Sequence, residues 1–362
     1  MSAHRTDRTL ADGRLISYYD PTPTERNAVD SREKEDRPGL GKFRLDPLTN
    51  EWVTIASHRQ GRVFLPPKEL CPLCPSSEGK ATEIPEPSYH VAVFENRAPS
   101  YAAPISSWMM PEVAGLDTPE APTAGRCEVI CFADEHHLSL KDLTVAQIAL
   151  VIDAWRDRTR ELSQLPYVEH IFPFENRGEE VGVTLSHPHG QIYAYPYLPP
   201  KIEKMLAAAQ EHKKRTGRIL LDDIIAREIK DGSRIITRNN SWIVYVPYAA
   251  RYPFEIHLAP TSRVADFTEL SDTQSADLAP ILKEVLQRLD GVFGIPMAYI
   301  ASWYQAPVRT GRDVMRLHLQ ITSVRRAPGK LKYLSGSESA MGAFIMDVDP
   351  EQSAEQLRNA KI

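Results

Sequence analysis

The segment TLSHPHGQIYAY, residues 184–195, sets two histidines around a proline, then a glycine, then a strand-forming run. Alternate side chains of a strand share a face, so His187 and His189 point the same way, with Pro188 stiffening φ between them. A neutral imidazole is nucleophilic through one nitrogen when the other donates to a carbonyl that fixes the tautomer. One histidine can then be tethered to a metal while the other stays free to attack. The plainer alternative is that both are metal ligands or ordinary buried histidines. Gly190 carries no side chain, which leaves the backbone beside His189 open to a bulky anion. Gln191 is expected on the opposite face unless the strand bends at Gly190.

Cys71 and Cys74, in CPLCP, have the spacing that lets two sulfurs reach one ion. Cys127 and Cys131 are poor candidates to complete a four-sulfur site. RCEVICF is strand-like, and four residues of strand hold those sulfurs roughly 13 Å apart. They read as buried strand residues. Histidines must complete the set: His136 or His137 from DEHH, and His187 or His189 from HPH. A redox dithiol is the competing reading, but no βαβ pattern surrounds the pair. Phosphoryl chemistry also needs charge stabilisation. SHRQGR supplies Arg59 and Arg62, against the alternative of a solvated basic loop. Asn96 in VFENRAP and Asn176 in FENRG are either turn residues or contacts to a ribose and base.

The elements that must position these groups alternate between strand and helix. KFRLD and EWVTIA flank a Pro/Asn turn and predict a hairpin. YHVAVFEN and GRCEVICF predict strands rich in Val, Ile and Phe. LTVAQIALVIDAWRDRTREL predicts a helix capped by Thr144, with Val145, Ile148, Val151, Ile152, Trp155 and Leu162 on one stripe. YVEHIFPFENRG and HPHGQIYAYPYL predict two further strands. The second half repeats this order: two strands in SWIVYVPYAARYPFEIHLAP, a helix in LSDTQSADLAPILKEVLQRLD, then MAYIASWYQAP and RLHLQITS. His318 and Gln320 fall where His189 and Gln191 fall. The pattern predicts an internal duplication and an α+β fold with a mainly antiparallel sheet and helices packed on one side. The expected organisation is a loose or partner-dependent arm over 1–40, a first half over 41–200 with the metal and catalytic sites, and a second half over 201–362. ESAMGAFIMDVDPEQSAEQLRNA is expected to close the chain with a helix.

The chain has 362 residues, net charge −5 and four cysteines. That length suggests two domains or one sheet built from two halves. The mild, mixed charge argues against a dedicated nucleic-acid binder, although a small phosphorylated ligand needs only a local basic cluster. No apolar run is long enough to span a bilayer. The charged start, MSAHRTDRTLADGRL, lacks an apolar signal core, so a cytoplasmic location with reduced thiols is expected.

From about Phe43 onward these residues resemble the galactose-1-phosphate uridylyltransferase family of the histidine-triad superfamily. The resemblance is carried by DPLTNEWVTIASHRQGR, CPLC, VFENRAPS, ICFADEHH, FENRGEEVGVTLSHPHGQIYA, VPYAARYPFE and ESAMGAF. It implies a histidine-triad-like fold in two halves and a homodimer. It also implies ping-pong transfer of UMP from UDP-glucose to galactose 1-phosphate, through a uridylyl group on His189. Cys71, Cys74, His136 and His187 would then hold a structural zinc. Arg59 and Arg62 would meet phosphates, in one reading across the dimer. Leu73, Val129, Asn96 and Asn176 would line the uridine pocket. Thr184 would stand near the leaving phosphate, and Lys332 and Glu338 would face the hexose. Gln191 occupies the position where hydrolytic superfamily members carry a third histidine; an amide cannot act as a proton donor in the way imidazolium can. An intermediate should then await a sugar phosphate rather than water.

The sequence also departs from the family. Many members hold a second metal through a glutamate, a histidine after tryptophan, and a His-x-His pair. Here Tyr304 follows Trp303, Gln320 stands in the pair with His318, and Glu203 lies only near the carboxylate position. That second site is expected to be empty, with His318 a hydrogen-bonded core residue. Pro72 replaces an aromatic that often stacks on the base, which weakens the expectation of strict uridine selectivity. Two other readings compete: a nucleotide-sugar or dinucleotide phosphorylase acting on adenine nucleotides, and a catalytically silent nucleotide-binding protein.

Overall fold

The computed structural model describes residues 3–34, 39–60, 65–102, 109, 111 and 120–362. The strands in chain order are β1 (His4–Thr9), β2 (Leu15–Asp20), β3 (Lys42–Asp46), β4 (Glu51–Ile55), β5 (Val91–Glu95), β6 (Glu120–Pro122), β7 (Arg126–Cys131), β8 (His170–Arg177) and β9 (His189–Tyr195). They continue with β10 (Ile235–Arg238), β11 (Trp242–Tyr245), β12 (Phe254–Pro260), β13 (Tyr299–Tyr304), β14 (His318–Ser323), β15 (Arg325–Ala327) and β16 (Lys330–Leu331). The helices are α1 (Val145–Leu162), α2 (Pro200–Thr216), α3 (Leu220–Asp231), α4 (Asp272–Gly291), α5 (Gly336–Met341) and α6 (Pro350–Arg358). Among the described residues, no helix is long and apolar enough to cross a membrane.

Eleven strands form one sheet in the order β1-β2-β5-β7-β9-β8-β13-β14-β12-β11-β10, antiparallel throughout. The order is a palindrome about the β8–β13 pair. β9 lies between β7 and β8 as β14 lies between β12 and β13. This α+β architecture is the duplication that the two sequence halves predict. The β3–β4 hairpin pairs Lys42 with Ile55 and Asp46 with Glu51, as its two runs predict, and β6 extends it into a small sheet.

Strand alternation gives the large sheet two faces. On one face Ile130, Ile192, Ile256, Leu319 and Trp303 pack against α1 and α4 in one core with Trp155 and Leu286. Thr144 caps α1 through a bond from the Gln147 amide at 3.1 Å. The apolar stripe of that helix is buried as expected at Ile148, Val151, Ile152, Trp155 and Leu162, while Val145 is exposed. Each fully buried large side chain contributes roughly 1.5–3 kcal/mol. The other face carries the odd-numbered residues of β7 and β9, including Val129, Cys131, His189 and Gln191.

Three expectations are corrected. The stretch 1–40 is not simply a loose arm: β1 and β2 extend the sheet, and Tyr18 and Tyr19 are buried. Its charges fold because they pair. Arg14 meets Asp12 and Glu83, and Arg26 meets Asp20. The helices do not all lie on one side, because α3 packs Ile225 against Ile243, Tyr245 and Ala259 on the opposite face. The end of the chain forms two helices, α5 and α6, rather than one.

Candidate active site and metal centre

Cys71, Cys74, His136 and His187 converge from three loops, with their ligand atoms all within 4.8 Å of one another and all four residues buried. Cys74 Sγ lies 3.3 Å from His136 Nδ1 and 3.6 Å from His187 Nδ1. A tetrahedral ion bound at 2.0–2.3 Å needs ligand separations of roughly 3.3–3.8 Å, so the set fits one metal. His187 Nε2 donates to the Ala133 carbonyl at 2.9 Å and lies 2.8 Å from the Tyr89 hydroxyl, which donates to the Leu73 carbonyl at 3.1 Å. That leaves the His187 Nδ1 lone pair turned to the cluster, the outer-shell arrangement typical of metal-bound histidine. Burial, then the neighbouring Cys71, raises the Cys74 thiol to about 11. A bound cation would displace that proton. Burial lowers His136, and lowers His187 to about 3, so both imidazoles stay neutral and able to ligate. His137 is exposed and outside the set; Cys127 and Cys131 are buried and outside it too.

His189 begins β9 two residues beyond that cluster. Its Nδ1 donates to the His187 carbonyl at 2.7 Å, and a carbonyl can only accept. The tautomer is thereby fixed, and the Nε2 lone pair has no partner among the described residues. Burial lowers the pKa of this ring, which favours the neutral, nucleophilic form. His189 lines a crevice together with Leu73, Asn96, Val129, Asn176, Thr184 and Gln191. Seven residues expected at the reacting centre or around the nucleotide therefore meet in one place. A cleft of about 730 Å³ opens beside it and shares Asn176, Val183, Leu185 and His189.

Two buried acceptors in the crevice, Asn176 Oδ1 and Gln191 Oε1, have no hydrogen-bond partner among the described residues. Leaving such a group unsatisfied costs about 1–3 kcal/mol, so both are poised for donors on a ligand. Gln191 lies on the same face as His189, paired with Val129 in a regular strand. The expectation of an opposite face fails because residues i and i+2 of a strand point together. Gly190 points the other way. A Cβ there would meet the Phe174 carbonyl at 2.8 Å and the Phe132 ring at 2.9 Å, so this glycine is needed by the core beneath the site.

Arg59, Lys332 and Glu338 are not brought to the crevice. Arg59 donates to the Ala98 carbonyl at 3.2 Å and the Ser100 hydroxyl at 2.5 Å, and does not line it. Arg62 lies outside the described residues. Lys332 and Glu338 form a buried ion pair at 2.6 Å, and neither lines the crevice or its cleft. His318 is buried and hydrogen-bonded, its Nδ1 donating to the Arg316 carbonyl at 3.0 Å. Lys201 Nζ reaches the Tyr304 hydroxyl at 2.6 Å and Gln320 Oε1 at 2.8 Å. Although the residue as a whole is exposed, its ammonium is held by these partners, and burial lowers it to about 8.

Several residues of the site escaped the sequence reading. Tyr89 orients His187 from a segment with no motif of its own. Glu175 lines the cleft, accepts from the Tyr299 hydroxyl at 3.0 Å, and is raised to about 7 by burial. It sits inside FENRG, which was a signal available in the sequence. Arg177 and Lys141 also line the cleft, paired with Asp290 and Asp142.

Comparison with known proteins follows the same lines. The N-terminal domain model of galactose-1-phosphate uridyl transferase matches residues 31–199, and the C-terminal domain model matches 205–361. The galactose-1-phosphate uridylyltransferase of Streptomyces lividans is 40% identical over 98% of this chain and 97% of its own. That of Thermotoga maritima is 34% identical over 89% and 99%. A solved uridylyltransferase superposes with a TM-score of 0.77 at 31% identity, over 88% of this chain and 97% of that one. An ADP-glucose phosphorylase of Arabidopsis thaliana shares the fold, with a TM-score of 0.69 at 24% identity over 88% and 98%. The chain belongs to the galactose-1-phosphate uridylyltransferase family, a family of transferases.

Proposed function

We propose that this protein transfers UMP from UDP-glucose to galactose 1-phosphate in two half-reactions through His189, as a step of galactose metabolism. In the first, His189 Nε2 attacks the α-phosphorus. The P–N bond forms as the bond to the glucose 1-phosphate oxygen breaks, and glucose 1-phosphate leaves. In the second, a phosphate oxygen of galactose 1-phosphate attacks the same phosphorus, the P–N bond breaks, and UDP-galactose leaves. The observation that carries this reading is the His189 Nδ1 bond to the His187 carbonyl at 2.7 Å, with Nε2 and two buried acceptors of the crevice left without a partner among the described residues. Leu73 and Val129 take the faces of the base, and Asn96, Asn176 and Gln191 take its polar edge and the ribose. Thr184 lies by the leaving phosphate. Cys71, Cys74, His136 and His187 hold a zinc, which supplies no reacting group and fixes the strand entry that carries His189.

Arg59, Arg62, Lys332 and Glu338 serve the phosphates and hexose of a neighbouring subunit in a homodimer. Arg59, Lys332 and Glu338 do not line this chain's own crevice or cleft, which favours an arrangement in trans. Initial-rate kinetics test the mechanism. Parallel double-reciprocal lines, with release of glucose 1-phosphate from UDP-glucose before any acceptor is added, support the two half-reactions. Intersecting lines with no release before acceptor overturn them. Turnover of ADP-glucose with inorganic phosphate, and none of UDP-glucose, would move the protein to the phosphorylase reading.

A further inference from the structure

The C-terminal half contains a second cavity, where the palindromic sheet puts the counterpart of the catalytic crevice. β14 corresponds to β9, and His318 and Gln320 correspond to His189 and Gln191. The local geometry is repeated as well. His318 Nδ1 donates to the carbonyl two residues before it at 3.0 Å, as His189 does at 2.7 Å. In front of His318 and Gln320 lies a cavity of about 410 Å³, walled by α2, α3 and the sheet. Its lining is dominated by apolar and aromatic groups such as Met205, Ala208, Ile224 and Tyr245. That volume falls within the range of small-molecule sites and far above the voids of an ordinary core.

Three guanidinium groups belong to the same cavity; that of Arg316 is taken up by Asp222 and the Pro260 and Ser262 carbonyls, and the Glu228 carboxylate in the wall is paired with Arg234 at 2.9 Å, which leaves Arg227 and Arg251 to meet an anion. Arg227 lies over the Tyr248 ring at 5.0 Å and makes no ion pair among the described residues. Arg251 is half-exposed and only 3.9 Å from a Glu255 oxygen, and that carboxylate also meets His257 at 3.1 Å. An apolar chamber with those two cations among its walls suits a flat aromatic body bearing one anionic group. Chemistry is closed off. His318 Nε2 accepts from the Gln320 amide nitrogen at 3.1 Å, Gln320 Oε1 accepts from Lys201 at 2.8 Å, and Lys201 is held by Tyr304. The lone pair that is free on His189 among the described residues is occupied here, whereas Gln191 Oε1 has no partner among those residues.

We propose that this cavity is a second, non-catalytic binding site for a small planar aromatic anion. The inference stands independently of the uridylyl-transfer reading. The test is a fluorescence titration of the full chain with 8-anilinonaphthalene-1-sulfonate, with and without saturating UDP-glucose. One dye should bind per chain, and UDP-glucose should not displace it. Ala208→Trp, which fills the chamber from an exposed position on α2, should weaken the dye by about tenfold or more. Arg227→Ala removes one exposed cation and should weaken it by about threefold. Both variants should keep the wild-type melting temperature and transferase rate. Displacement by UDP-glucose, absence of saturable binding, or equal binding to wild type and both folded variants would each overturn the proposal.

Discussion

Gly190→Ala is the smallest change that should separate the strand carrying the nucleophile from the core beneath it. An added Cβ would sit 2.8 Å from the Phe174 carbonyl oxygen and 2.9 Å from the Phe132 ring, against an ordinary contact of about 3.5–4.0 Å. Neither neighbour gives easily. Phe174 belongs to β8, which is bonded on both sides, to β9 and β13. The Phe132 ring is fully buried against Trp155. β9 must therefore move outward by roughly half an ångström, at a cost of about 1–3 kcal/mol for overpacking. His189 and Gln191 move with it. A displacement approaching 1 Å costs up to about 100-fold in rate, so we expect a loss of roughly ten- to 100-fold in the first half-reaction. Urea unfolding and single-turnover release of glucose 1-phosphate measure the two effects. Stability within about 0.5 kcal/mol of wild type together with a rate within twofold would refute the reasoning.

Tyr89→Phe removes the hydroxyl that bridges His187 and the Leu73 carbonyl, so metal affinity should fall by about 10–100-fold in a chelator competition; unchanged affinity would show that Tyr89 does not orient the ligand. Burial raises Glu175 to about 7, so the folded state holds its proton more tightly than the unfolded state does. Its contribution to stability is complete below about 4.5 and is lost as pH rises through about 7, amounting to at most about 3 kcal/mol. Glu175→Gln should therefore gain stability relative to wild type between pH 5 and 8 in urea titrations, and a pH-independent difference would contradict this. Gln191→His should let water discharge the intermediate, seen as glucose 1-phosphate release continuing beyond one equivalent without an acceptor; a single-equivalent burst would count against the role given to the amide.

The reacting centre was legible because its chemistry is local. HPHGQ holds the proposed nucleophile, the tautomer-fixing carbonyl and the amide within five residues, and CxxC places two candidate ligands within four. The duplication was legible because both halves must bury the same sheet face, so the apolar pattern recurs. The segment before residue 40 reads as a loose arm because its first strand, HRTDRT, is written in charges and polar residues surround the second, LISYYD. Arg14 finds Glu83 and Tyr19 finds Asp157, partners that no sequence window contains. Helices α2 and α3 went unread although KIEKMLAAAQEHKKRT carries a Pro start and a Gly stop. The resemblance names Lys332 and Glu338 by position alone; in this chain they pair with each other away from its own crevice, an arrangement that no local pattern signals. Lys201 is the sharpest case. Its partners Tyr304 and Gln320 lie more than 100 residues away, and only the pairing of β13 with β14 brings them to one ammonium.

The central claim is that His189 carries the nucleotide. Intact-protein mass after incubation with UDP-glucose alone tests it most directly. Wild type should gain the mass of one uridylyl group and lose it when galactose 1-phosphate is added, while His189→Gly should gain nothing. An adduct of equal size on His189→Gly, or none on active wild type, would contradict the account.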